Sequence, residues 1–116
     1  MTDATNESPA LSGVLPVFQT PYRADESIDF EVLAREIDWL FDKGSDGIVM
    51  AMVSEVLRLS SDERDHLAKQ ACHLAAGRGT CVISVGAESS HVAERHARHA
   101  EACGATALMA IPPVSI

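Results

Sequence analysis

The stretch CVISVGAESSHVAERHARHAEACGATALMAI, residues 81–111, decides the fold. It opens on Cys81–Val85 and closes on Ala107–Ile111, and both runs are nearly apolar throughout. A strand with one wet face alternates apolar and polar residues; a strand apolar throughout is buried on both faces, as parallel sheets demand. Between the runs lies a helical segment, capped by Ser89 or Ser90 and ending near Cys103 before Gly104. Strand starts at Val82 and Ala107 are spaced as one strand-plus-crossover unit of ~25–35 residues.

Upstream, the same unit repeats. Ser60–Ala76 reads as a helix, with Ser60 and Glu63 forming a capping box and Gly77 ending it. Its apolar stripe is Leu67, Ala71, Leu74 and Ala75, flanked by Ala68 and Cys72. Gly47–Met52 (GIVMAM) is another apolar run. Asp29–Lys43 carries Phe30, Leu33, Ile37, Leu40 and Phe41 at helical spacing, with Asp29 as N-cap and Gly44 as the stop. Gly13–Phe18 (GVLPVF) is the first run, and Pro112-Pro113 stops the last. Residues 1–12 read as a flexible tail.

The order β-α-β-α-β-α-β specifies an α/β fold with a parallel sheet and right-handed crossovers. Two architectures fit: a small doubly wound sheet, or the first half of a (β/α)8 TIM barrel. A barrel needs eight units and ~250 residues. This chain of 116 residues holds three and a half and closes on a strand with no helix after it. An uncovered apolar strand is an aggregation hazard. The expectation is therefore that residues 13–116 are the N-terminal half of a barrel, an incomplete domain of a longer protein.

Composition narrows the function classes. Nine Lys+Arg against seventeen Asp+Glu give a net charge of −8. That disfavours a nucleic-acid groove or an anionic membrane surface. Aromatic content of 4% leaves no stacking platform for single strands. No apolar run approaches the ~20 residues that span a bilayer. The opening MTDATNESPALSG has no basic segment followed by an apolar one, so no secretory signal is expected and a cytoplasmic location is. Three cysteines without framework spacing read as reduced thiols.

GVLPVFQTPY (Gly13–Tyr22) resembles the opening strand and Thr-Pro turn of the dihydrodipicolinate synthase / N-acetylneuraminate lyase family. Ile28–Met50 is similar to its first helix and second strand, and Ser54–Arg64 (SEVLRLSSDER) to the end of its Gly-Thr-Thr-Gly-Glu motif with the helix start that follows. Val82–Ser90 (VISVGAESS) and Gly104–Pro113 (GATALMAIPP) resemble its third strand and Pro-Pro signature. The resemblance implies a homotetrameric barrel that forms a Schiff base with pyruvate or a related 2-oxo acid, a small-molecule substrate. The iminium serves as the electron sink for carbon–carbon bond making or breaking, and no separate cofactor or metal is implied.

The resemblance also says what to look for. The family's lysine lies on a later strand, and its relaying tyrosine and a nearby arginine also fall beyond Ile116. The lysines here, Lys43 and Lys69, sit on predicted helices rather than at strand ends, so no catalytic residue is expected within the chain. The family's substrate-carboxylate turn corresponds to Ala51, Met52, Val53, Ser54 and Glu55. Met52 and Val53 replace both threonines and remove their hydroxyls; Ser54 replaces the second glycine; Glu55 is kept. After Pro-Pro, family members often carry two tyrosines, whereas this chain has Val114 and Ser115. Met52, Val53, Ser54, Glu55 and Ser115 are the candidate substrate-binding residues. The segment is expected to be inactive alone. The alternative is a non-catalytic 2-oxo-acid-binding or regulatory relative on the same scaffold; a self-contained small α/β binding domain is a third reading.

Other residues invite chemistry but read more simply as structure. His91, His96 and His99 lie on a helix face without the HExxH pattern (the run is ERHARH), so a solvated mixed-charge face is expected, and surface positions for His66 and His73. Gly77-Arg78-Gly79-Thr80 runs from helix to strand, opposite to a phosphate loop, and reads as a tight turn. Cys72, Cys81 and Cys103 fit core positions. Asp46 is expected to make structural hydrogen bonds at the bottom of the barrel. Glu55 could close its own turn by accepting backbone N–H bonds. Trp39 and Phe41 are expected to pack in the core or between helices.

Overall fold

A computed structural model describes residues 11–51 and 58–110. In chain order the elements are α1 (Phe30–Asp42), β1 (Gly47–Met50), α2 (Ser61–Ala75), β2 (Thr80–Ser84), α3 (Ser90–Cys103) and β3 (Ala107–Met109). The strands form one parallel sheet in the order β1-β2-β3, with Gly47 opposite Thr80 and Val82 opposite Ala107. α2 and α3 thus each cross between parallel strands, as the repeating unit requires.

The helix ends form where their caps stand. Asp29 accepts from the Val32 N–H at 3.1 Å and starts α1. Ser60 and Glu63 close a reciprocal capping box on α2, at 2.8 and 3.1 Å. Ser89, rather than Ser90, caps α3. At its far end Gly104 has φ 95°, a left-handed conformation that costs glycine little, and Ala105 N–H returns to Ala100 O at 3.0 Å.

The expected first strand, Gly13–Phe18, is present as a single bridge, Val17 to Val49, rather than as a full strand. Val49 N–H reaches Pro16 O at 2.9 Å and Phe18 N–H reaches Val49 O at 3.2 Å, the pattern of a parallel neighbour. Pro16 has no N–H with which to extend the ladder toward Gly47. The segment lies along β1 in the place of a stave without completing one.

Strand alternation divides the sheet into two faces. Ile48, Met50, Cys81, Ile83 and Val85 join the main core with Leu33, Ile37, Leu67 and Ala71. Leu33, Ile37, Ile48, Met50, Leu67 and Ile83 are essentially solvent-free, and each contributes about 1.5–3 kcal/mol by burial. On the other face a continuous apolar row runs through register partners Val17, Val49, Val82 and Ala107. Its edge is open: Val17 is 55% and Val14 is 66% exposed.

Candidate functional site at the strand ends

In a parallel sheet all strands finish at one edge, and the turns beyond that edge form the concavity where ligands are held. Here β1 ends at Met50 and β2 at Ser84, with β3 beside it; Val85 N–H donates to Met109 O at 3.0 Å and holds the last two ends together. Ala51 directly follows β1. Met52, Val53, Ser54, Glu55 and Ser115 lie outside the described residues.

Two layers of this rim are described. The outer layer is the loop after the first apolar run. Tyr22 and Ile28 bridge across it, and Arg58 places its guanidinium carbon 5.4 Å from the centre of the Tyr22 ring. Asp25 accepts both the N–H and the hydroxyl of Ser27, at 3.0 and 2.6 Å, and these bonds hold its carboxyl below the ordinary range. Nearby, Glu36 accepts the Gln19 N–H at 2.7 Å; burial pushes its carboxyl up and that bond opposes the shift.

The inner layer lies beneath the rim, between the helices and the sheet. Arg64 in the first turn of α2 is buried and donates from Nη2 to Ser84 O at 3.4 Å. Next to it Asp65 lies 2.8 Å from Nδ1 of His96 on α3, and its backbone carbonyl oxygen lies 2.8 Å from Nε2 of His99. His96 is therefore buried, contrary to the solvated face expected for it: the α2–α3 packing covers the helix side on which it stands. Burial lowers its affinity for a proton, and the bond to Asp65 offsets part of that. Arg64 was not singled out from the sequence. The signal was present, because Arg64 falls on the spacing of Leu67, Ala68, Ala71, Cys72 and Ala75, the buried stripe of α2.

The remaining sequence candidates are placed as follows. Lys43 is exposed at the end of α1, with its ammonium 5.9 Å over the Trp39 ring, and Lys69 is exposed in the middle of α2; neither stands at a strand end. Trp39 is 58% exposed, so its expected core role is corrected: it stands on the outward side of α1, away from the Leu33–Ile37 face. Phe41 does pack against the core, beneath the Arg78 guanidinium. His73 is exposed; His66, also exposed, stacks on Phe30 with ring centres 4.3 Å apart. Cys72 and Cys81 are buried, and Cys103 is partly covered. Residues 77–79 form a turn into β2, which begins at Thr80, with Arg78 and Gly79 N–H groups donating to Ala75 O. Asp46 ties the opposite end of the sheet as expected, accepting the Val14 N–H at 2.7 Å. Among the described residues no group of His, Cys, Asp and Glu is arranged to hold a metal ion, and no helix is long and apolar enough to cross a membrane.

The profile of the dihydrodipicolinate synthetase family matches residues 10–114. Over 110 residues the chain is 30% identical to L-2-keto-3-deoxyarabonate dehydratase of Azospirillum brasilense, covering 94% of this chain and 36% of that protein. A dihydrodipicolinate synthetase described as putative from Pseudomonas aeruginosa superposes with a TM-score of 0.84 at 30% identity, over 91% of this chain and 37% of its own. YagE, a prophage protein of Escherichia coli K12 solved in complex with pyruvate, superposes with a TM-score of 0.84 at 26% identity, over 90% of this chain and 36% of its own. The chain thus spans about a third of the length of the relatives it matches, and the described strands and helices correspond to the opening part of their barrels.

Proposed function

This chain belongs to the dihydrodipicolinate synthetase family, and from that membership we propose that it supplies the N-terminal half of a barrel whose activity is Schiff-base lyase or aldolase chemistry on pyruvate or a related 2-oxo acid. In that reaction a lysine amine condenses with the ketone, water leaves, and the iminium accepts the electron pair of the carbon–carbon bond that breaks or stabilises the carbanion that attacks. The observation that supports this reading most directly is the order of the match. The family profile matches residues 10–114, and the carboxyl ends of the described strands meet at one rim.

Within the proposal the chain has a limited role. Residues 13–116 form an incomplete domain behind a tail of residues 1–12. Ala51–Glu55 is the turn that receives the substrate carboxylate, with Ser54 and Glu55 as its polar members. Met52 and Val53 offer backbone N–H groups but no hydroxyls to bond substrate or relay a proton. Ser115 brings a short hydroxyl to the same rim. Lys43 and Lys69 stay on the outer helices, so the reacting amine comes from residues outside these 116. The assembled protein is a cytoplasmic homotetramer in this reading.

The loss of both threonine hydroxyls favours a second reading, a relative that binds 2-oxo acids without turning them over. Borohydride trapping with pyruvate separates the two. Lyase chemistry predicts a covalent adduct on a lysine downstream of Ile116 in the longer polypeptide, and none on the 116 residues alone. An adduct on Lys43 or Lys69 would refute the assignment. Pyruvate binding without any adduct in the longer polypeptide would establish the second reading. Met52→Thr with Val53→Thr should tighten carboxylate binding; unchanged binding would remove this turn from the site.

A further inference from the structure

The rim is tied from beneath by a buried polar cluster that the family reaction does not use. His96 is 4% exposed and lies 2.8 Å from the Asp65 carboxylate, itself 26% exposed. A carboxylate accepts, so neutral His96 donates from Nδ1 and leaves Nε2 as a bare lone pair. Among the described residues that buried atom has no hydrogen-bond partner, and neither has Nε of Arg64. Both side chains border one narrow gap with Asp65, Met50, Ala68, Ile83 and Ser84, and the gap is too small to admit a water molecule. The Arg64 guanidinium has the Ser84 carbonyl as its acceptor there and no carboxylate bonded to it among the described residues. His99 closes the seam from α3, donating to Asp65 O at 2.8 Å.

We infer that Arg64, Asp65 and His96 form an acid-sensitive latch: it holds α2, α3 and the end of β2 together while His96 is neutral, and it opens when His96 gains a proton.

A proton arriving at Nε2 finds no acceptor, and the new cation stands near the Arg64 guanidinium where water does not screen the two. The charged groups around His96 are Arg64 and Asp65 from α2 and Arg95 from its own helix; Lys69, His99 and Cys103 lie further along the seam. From β1 and β2 the gap is bordered by Met50, Ile83 and Ser84, none of which titrates. Among the described residues Asp65 is thus the one anion beside Arg64, Arg95 and a protonated His96. Opening separates His96 from Asp65 and exposes Nε2 to water. It also frees Arg64 from Ser84, the last residue of β2, so the strand end loosens with the helices.

The direction with pH follows from where the proton binds. Unfolded His96 takes a proton near the ordinary ~6.5, whereas the folded cluster takes it only at lower pH. Between those two values the open state holds more protons, so stability rises with pH and is lost as pH falls from about 6.5.

Two experiments on the full chain test the latch. NMR of the imidazole C–H groups should show His96 titrating below the ordinary histidine value of ~6.5. Amide protection across the α2–α3 seam should fall about tenfold per pH unit inside the window. His96→Gln should flatten that dependence, and Arg64→Met should move the His96 midpoint upward. If His96→Gln does not fold, the wild-type titration and Arg64→Met decide the matter. A His96 midpoint at or above the ordinary ~6.5 overturns the latch. So does an unchanged pH dependence in His96→Gln, or an unmoved midpoint in Arg64→Met.

Discussion

At the N-terminal end of the sheet Asp46 makes three hydrogen bonds to two partners: its N–H donates to Val14 O at 2.9 Å, its carbonyl accepts from Thr80 at 3.2 Å, and its carboxylate accepts from Val14 at 2.7 Å. At the C-terminal end, Arg64, Asp65, His96 and Ser84 come from three elements, and among the described residues two buried nitrogens are left unmatched there, against one buried oxygen, Thr80 Oγ1, at the first end. The first end is stitched by backbone groups of adjacent segments and by glycines that let them approach. The second is assembled from long side chains at sequence separations of 20 to 31 residues. An end built the first way resists perturbation. One built the second way responds to charge, because burial leaves each unpaired polar atom costing about 1–3 kcal/mol.

Substitutions at the two ends should therefore differ in size and sign. The largest effect is expected at Gly47, where an added Cβ would meet the hydroxyl and carbonyl oxygens of Thr80 and the Leu15 side chain. The carbonyl belongs to the paired strand and cannot swing aside, so Gly47→Ala should cost about 3 kcal/mol in urea unfolding. A loss below about 1 kcal/mol would show that this end yields more than its hydrogen bonds indicate. At the other end Arg64→Met should raise stability at neutral pH by about 1–2 kcal/mol, since it replaces a buried cation lacking a bonded carboxylate with an apolar chain of similar length. Destabilisation instead would mean that the bond to Ser84 outweighs the cost of burying the charge. Asp46→Ala should cost about 1 kcal/mol in urea unfolding, one accepted hydrogen bond near solvent. The smallest effect is expected at exposed Trp39: Trp39→Ser should change the melting free energy by less than about 0.5 kcal/mol.

The elements were legible because their signals are local. Asp29, Ser60 with Glu63, and Gly104 mark helix ends through bonds that span three to five residues, and the apolar runs at 47–50 and 81–84 mark buried strands. The first stave was over-read, since an apolar run says nothing of the N–H that Pro16 lacks. Trp39 was misplaced for a related reason. It neighbours the stripe of α1 without lying on it, and hydrophobicity alone does not say which side a residue takes. The candidate carboxylate turn, residues 52–55, was legible by resemblance alone and lies outside the described residues.

His96 shows the limit most directly. Its sequence neighbours, Arg95 and Arg98, are exposed, and nothing in ERHARH distinguishes it from a solvated histidine. Local sequence determined the parallel α/β order, the caps and the stripes, because caps, turns and periodicity act over a few residues. Which side chains meet beneath the rim was decided when α3 packed on α2 and both covered β2, since burial and charge depend on what stands across the seam. That is why the family resemblance could be read from the chain, whereas the cluster of Arg64, Asp65 and His96 needed the tertiary structure.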